Sequence, residues 1–346
     1  RCALRSSMHK ALKAHLLSGK SILSSGGFIL KEEYKEGAGL ESYGAMYSRC
    51  CGQGRSMTSR ERVMAAIRGE YVDYVPCAPF FKGFGAAAGA GVGNPFPWGS
   101  SELEMAKYNK DKLGLDPILT VDMTGLEQAA EAACRDGDGG NITAGLKEYA
   151  DKLVLEIGRV KAIADQYGLA TAYRVGPDYT HFIEIAVKTG VDIILFDGLY
   201  KTEDFQCPDK WENAHAESLR EEIGLVHGYG KAAGLILRRD DLKMLDFLAD
   251  LDFDCIVNFD HVFEEPVRKE IICGLEGKKS FWICPDAVCG MPPRSAADVE
   301  RAVKKVYDTF GKKGILITAD PASESMATWE NTLAMARGWR KYRIAP

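Results

Sequence analysis

Ionisable side chains recur in this chain at one kind of position, directly after a short apolar run. Carboxylate and imidazole groups transfer protons, whereas guanidinium and ammonium groups bind oxyanions. Both kinds occur in the set, so the pattern predicts one site with acid–base and anion-binding groups. The set comprises Lys82, Asp122, Arg174, Asp197, Arg238, Arg239, Asp240, Asp260, His261, Cys284, Asp286 and Asp320.

Three of these residues are the candidate catalytic acids or bases: Asp197, Asp122 and His261. Asp197 is the strongest candidate as a general base or substrate orienter, because it directly follows an apolar run. His261 is the only histidine at such a position, and a loop histidine without a catalytic role is an equal alternative. The predicted substrate-binding residues are Arg174, Arg238, Arg239, Lys82, Asp286 and Asp320.

Arg238 and Arg239 are adjacent, and successive side chains of a strand point to opposite faces. We therefore expect only one of the two to face a substrate. A salt bridge with Asp240 or Asp260 is the structural alternative.

The cysteines give a weak metal signal. Cys284 and Cys289, together with His261, have the donor atoms for zinc, but their spacing is not a strong zinc signature. Two free thiols are the favoured interpretation, so no metal site is predicted. No secretory signal precedes the ten scattered cysteines, and we expect reduced thiols. Single cysteines in mostly apolar surroundings are expected to be buried and free, and they are Cys77, Cys134, Cys207, Cys255 and Cys273.

The apolar runs predict eight strands, at residues 75–81, 117–122, 169–175, 191–196, 233–237, 254–259, 280–284 and 314–318. Amphipathic helices are predicted between them, for example at 146–167, 209–229 and 295–310, and a Thr58–Glu61 capping box opens an earlier helix that runs through Arg68. Apolar strands that alternate with helices indicate a parallel sheet in an α/β fold. Eight such units favour a (β/α)8 TIM barrel over an open doubly wound sheet, and no Gly-x-Gly-x-x-Gly follows a strand.

Composition limits the class of protein. The chain has 346 residues, 46% hydrophobic, and a formal net charge of −5, with no Lys/Arg stripe that would indicate a nucleic-acid partner. It has no run of about 20 apolar residues for a membrane span, so we expect a cytoplasmic protein. A homodimer is one open possibility for its oligomeric state.

The first 56 residues differ from the rest, because they carry no Asp or Glu before residue 31 and are then rich in Gly and Ser. We expect a disordered or non-native tail at 1–56, with a transit peptide as the alternative. A single barrel domain is expected at 57–346.

Four segments resemble the uroporphyrinogen decarboxylase superfamily. They are the opening Met57-Thr-Ser-Arg-Glu-Arg-Val with Asp73 and Val75-Pro76, the segment Gly190-Val191-Asp192-Ile193-Ile194 with Asp197, the segment His227-Gly228-Tyr229-Gly230-Lys231, and the closing Gly314-Ile-Leu-Ile-Thr with Trp329-Glu330-Asn331-Thr332. The resemblance spans residues 57–346 and implies a TIM barrel. It also implies one of two chemistries: cofactor-free decarboxylation of uroporphyrinogen, or methyl transfer to or from a corrinoid with zinc held by His-x-Cys and a later Cys.

The chain departs from both branches. The Arg-rich loop of the decarboxylases would fall near residues 80–85, where only Lys82 is charged. The zinc pair of the methyltransferases would follow Ala233-Gly234, where the chain has Leu235 to Arg239, and no Cys lies near Asp320.

We expect an enzyme closer to the second branch: a corrinoid (cobalamin)-dependent methyltransferase component that acts on a methylated small molecule. No tightly bound cofactor and no zinc are expected, and the corrinoid would come as substrate or on a partner corrinoid protein. One alternative is a decarboxylase of porphyrin metabolism. The other is a degenerate, non-catalytic barrel that acts as a binding partner.

Overall fold

A seven-stranded parallel sheet organises the chain. The structure is a computed structural model and describes residues 56–79, 102–121, 123, 139–176, 182–197, 208–236, 249–257, 275, 279–285, 295–318 and 329–344. The strands are β1 (Ile118–Val121), β2 (Ala170–Val175), β3 (Ile193–Asp197), β4 (Ala232–Ile236), β5 (Cys255–Val257), β6 (Ser280–Ile283) and β7 (Ile315–Ile317). Each strand pairs in parallel with the next one in the chain, in the order β1 to β7.

Of the predicted strand at 75–81, the structure describes residues 75–79, and there Cys77 forms a single β-bridge with Ile317. On one side, Ala78 N–H donates to the Ile317 carbonyl at 2.7 Å. On the other side, Asp116 N–H donates to the Cys77 carbonyl at 2.7 Å. Pro76 and Pro79 have no N–H to donate, so this segment cannot form a full ladder.

The described helices are α1 (Ser59–Ile67), α2 (Glu102–Leu113), α3 (Gly139–Tyr167), α4 (Ile183–Thr189), α5 (Pro208–Gly228), α6 (Ala296–Phe310) and α7 (Trp329–Tyr342). The capping box predicted for α1 is confirmed: Glu61 N–H donates to Thr58 Oγ1 at 3.2 Å, and Thr58 N–H donates to Glu61 Oε2 at 2.7 Å. Ser295 and Asp298 cap α6 in the same way. Within the described ranges, none of the helices has the length and apolarity to cross a bilayer.

One face of the sheet, which we call the inner face, carries the core. Its residues alternate along the strands and are Ile118, Ala170, Ala172, Ile193, Leu195, Ala232, Ile236, Cys255, Val257, Trp282 and Leu316. Val63, Ala66 and Ile67 of α1 pack against them. The N–H of Arg60 in α1 donates to the carbonyl of Gly168, just before β2, at 2.9 Å. Helix α1 therefore covers the amino-terminal end of the inner face.

Candidate functional site

Two charged side chains lie together at the carboxyl-terminal end of the inner face. Arg174 is the penultimate residue of β2, and Asp197 is the last residue of β3. Each lies two residues beyond an inner-face residue of its own strand, Ala172 in β2 and Leu195 in β3. Both side chains therefore project from the inner face. Arg174 Nε donates to Asp197 Oδ2 at 2.6 Å, and Arg174 Nη2 forms an ion pair with the same oxygen.

The two members of this pair differ in burial. The Arg174 side chain is 43% exposed, whereas that of Asp197 is 14% exposed. Their neighbours in the sheet are apolar, since Arg174 is in register with Leu195 and Asp197 with Ile236. The arrangement is an ion pair with a partly exposed arginine and a largely buried aspartate, next to buried apolar side chains. It offers a carboxylate that accepts hydrogen bonds and a guanidinium that can still reach solvent.

Arg174, Asp197 and Cys284 are the predicted site residues that lie in the described part of the chain. The structure brings Arg174 and Asp197 into contact, a partnership that the sequence did not predict. Their catalytic and binding roles stay predictions. The other candidates lie outside the described residues: Lys82, Asp122, Arg238, Arg239, Asp240, Asp260, His261, Asp286, Cys289 and Asp320.

Cys284 follows β6 and is fully buried. Its Sγ lies 3.9 Å from the carbonyl oxygen of Pro285. Among the side chains that the structure describes, no three His, Cys, Asp or Glu residues are arranged to hold a metal. The alternative zinc set of Cys284, Cys289 and His261 extends beyond those residues, so it stays untested. Cys77 and Cys255 are buried free thiols, as predicted.

The opening motif holds a buried charge cluster at the amino-terminal end of the sheet. Arg62 of α1 is 3% exposed and donates to Asp73 through Nε at 2.5 Å and Nη2 at 2.9 Å. Its Nη1 also donates to the fully buried Asp116. Burial raises the pKa of Asp116 to about 6, against the opposing effect of the Arg62 charge. Burial alone would lower the pKa of Arg62, but Asp73 and Asp116 together raise it above its ordinary value.

Two further aspartates accept hydrogen bonds from the backbone of neighbouring strands at the same end of the sheet. Asp192 Oδ2 accepts from the backbone N–H of Thr171 at 3.1 Å, and its Oδ1 pairs with Arg60. Asp254 Oδ2 accepts from the N–H of Ala233 at 2.7 Å. Sequence reasoning missed these bonds, although an aspartate directly before an apolar strand is a usable signal. These bonds lie at the amino-terminal end of the sheet, whereas Asp197 lies at its carboxyl-terminal end.

Comparison with known proteins gives likeness in structure and none in sequence families. No family model matches the chain, and no curated protein matches it. A methyltransferase from Methanosarcina mazei superposes with a TM-score of 0.55 at 15% identity, over 83% of this chain and 99% of that one.

Two other solved structures are more distant. A B12-independent methionine synthase from Shewanella sp. W3-18-1 gives 0.39 at 13% identity over 54% and 64% of the two chains, and a D-psicose 3-epimerase gives 0.45 at 10% over 77% and 97%. At such identities a likeness shows the fold alone, and scores below 0.5 carry no argument. Together with the strand order, the first likeness shows an α/β fold with a parallel seven-stranded half-barrel sheet.

Proposed function

We propose that this protein is a methyltransferase of the uroporphyrinogen decarboxylase superfamily, with its active site at the carboxyl-terminal end of the inner face. The observation that carries the proposal is the Arg174–Asp197 pair, at the strand ends where barrel enzymes hold their catalytic groups. The fold likeness to a protein named a methyltransferase supports the choice of reaction. Neither the described residues nor the comparisons favour the decarboxylase or the non-catalytic alternative.

We further propose that the sheet closes into a complete (β/α)8 barrel. The segment 75–79 is hydrogen-bonded on both sides: it donates to and accepts from Ile317 of β7, and its carbonyls accept from the N–H groups of Asp116 and Ile118 at β1. A segment bonded to both edges of a seven-stranded parallel sheet occupies the place of an eighth strand. Closure gathers the carboxyl ends of all strands around one mouth, which is where a substrate would enter.

The chemistry that we assign to Asp197 follows from its hydrogen bonds. A guanidinium only donates, so Oδ2 of Asp197 must accept both contacts with Arg174. Asp197 is therefore better suited to act as a carboxylate that orients the methyl-bearing group than as the acid that protonates it. When a methyl group is transferred, the atom that loses it keeps the bonding electron pair and needs a proton or a nearby positive charge. Asp122 and His261 remain the candidate proton donors.

The corrinoid dependence is also a proposal, and we derive no step through the corrinoid. We propose that a corrinoid reaches the mouth as substrate or on a partner corrinoid protein. When bound, it would supply the cobalt centre that accepts or donates the methyl group.

The test is anaerobic methyl transfer by the full chain. The protein is incubated with cob(I)alamin and a panel of methoxylated aromatics, methylamines and methyl thioethers, and methylcobalamin is followed by its absorbance. We expect one donor class to react, and Asp197→Asn to lower kcat/KM about 100-fold, because the reacting group loses its orientation. Glu300→Gln is the matched control: it neutralises an exposed carboxylate paired with Arg337 on the helices α6 and α7. Absence of transfer from every donor class, or full activity of Asp197→Asn, would contradict the proposal.

A further inference from the structure

Arg174 keeps hydrogen-bond donors that its aspartate partner does not use. A guanidinium has five N–H groups. The contacts with Asp197 engage Nε and one N–H of Nη2. Within the part of the chain that the structure describes, Nη1 and the second N–H of Nη2 make no bond. The side chain is also 43% exposed, so a ligand in solvent can reach it.

The open edge of Arg174 has the geometry that binds a carboxylate. Two parallel N–H groups on Nη1 and Nη2 match the two oxygens of a planar oxyanion in a bidentate contact. Asp197 holds the guanidinium from its other edge, so little side-chain freedom is lost when the anion binds. A bound carboxylate would lie closer to the guanidinium than to Asp197, so attraction exceeds repulsion.

The residues beside the pair in the sheet are apolar and buried, with Leu195 in register with Arg174 and Ile236 in register with Asp197. We propose that the substrate is a small organic acid whose carboxylate binds Arg174. This inference rests on the proposed function, since it takes the mouth as the substrate site.

Equilibrium binding tests the inference without turnover. Benzoate and its neutral isostere benzamide are titrated into the full chain by isothermal titration calorimetry. We expect benzoate to bind and benzamide to bind at least about tenfold more weakly, because hydrogen bonds to charged groups are among the stronger ones. Arg174→Gln should weaken benzoate binding about 10- to 100-fold and remove the preference over benzamide. Arg174→Lys should be intermediate, because an ammonium keeps the charge and loses the fork.

Arg337→Gln serves as the charge-matched control, since Arg337 forms an exposed pair with Glu300 outside the site. It should bind benzoate as the unmodified chain does, and melting temperatures of all variants establish that each is folded. Equal binding of benzoate and benzamide, or unchanged benzoate binding by Arg174→Gln, would overturn the inference. If benzoate binds through Arg174 but no methyl transfer is found, the proposed reaction fails while the carboxylate site stands. If methyl transfer is found but benzoate does not bind, the proposed reaction stands and the carboxylate site fails.

Discussion

Replacing Arg62 by methionine should destabilise the protein more than any ordinary surface substitution. Arg62 is 3% exposed and donates to Asp73, to the carbonyl of Met57 and to Asp116. Methionine has a similar volume and can keep the contact with the Tyr74 ring, which lies 3.7 Å from the guanidinium carbon. The main loss is therefore electrostatic, because Asp116 stays fully buried without its cation.

The size of this loss follows from the burial of the stranded carboxylate. Removing one partner of a buried ion pair costs about 3–5 kcal/mol, and we expect about 4 kcal/mol at pH 8. Asp73 adds little, since its side chain is 30% exposed and water can replace the guanidinium. The cost should fall to about half at pH 5. The pKa of Asp116 is about 6 even beside Arg62, so its carboxyl is largely neutral there and little charge is stranded.

The assay is urea unfolding of four proteins: the unmodified chain, Arg62→Met, Asp116→Asn and the double variant. In the double variant no charge is stranded, so the Arg62 substitution should cost only about 1–2 kcal/mol there. The coupling free energy between the two positions should therefore be at least about 2 kcal/mol at pH 8. A loss below about 1 kcal/mol for Arg62→Met, or additive effects in the cycle, would refute this reasoning.

Two further outcomes follow from the same structure. Gly234→Ala should lower the free energy of unfolding by about 1–3 kcal/mol in chemical denaturation, because the new Cβ would lie 2.7 Å from the buried Cys255 Sγ. Gly158→Ala in α3 is the control and should be neutral or stabilising, because no atom lies within 4 Å of its new Cβ. Equal effects of the two substitutions would contradict this prediction. The folded pKa of Asp116 is raised from 3.8 to about 6, so its contribution is fully present below about pH 4 and is lost as the pH rises through about 6. The stability of the unmodified chain relative to Asp116→Asn should fall by up to about 3 kcal/mol from pH 4 to pH 7, and a pH-independent difference would show that folding does not raise the pKa of Asp116.

Local chemistry made most of the secondary structure predictable. The capping box at Thr58 and Glu61 starts α1 where expected, because both partners lie within one turn. The apolar runs predict all seven strands of the sheet to within a few residues, because a strand that is buried on both faces is a short run of apolar residues. Helix α3 begins earlier than the predicted residue 146, at Gly139, because its first turns lack an apolar stripe. Residues 75–79 of the predicted first strand form a bridged segment, because Pro76 and Pro79 have no N–H to donate.

Tertiary pairing was not predictable in the same way. Arg174 and Asp197 were each predicted as site residues. Their ion pair depends on the register of β2 against β3, and the local sequence of either strand does not determine that register. Arg62 and Asp116 are 54 residues apart, and only the closing of α1 onto the sheet brings them together. Residue type therefore identified Arg174 and Asp197 as candidates, and only the structure shows which charged side chains form ion pairs.

The most direct test of the central claim is transfer of a ¹³C-labelled methyl group from the reactive donor to cob(I)alamin, compared between the unmodified chain and Asp197→Asn. The claim predicts labelled methylcobalamin with the unmodified chain and with Glu300→Gln, and a rate about 100-fold lower with Asp197→Asn. Equal labelling by Asp197→Asn and the unmodified chain would show that the carboxyl end of β3 is not where methyl transfer takes place.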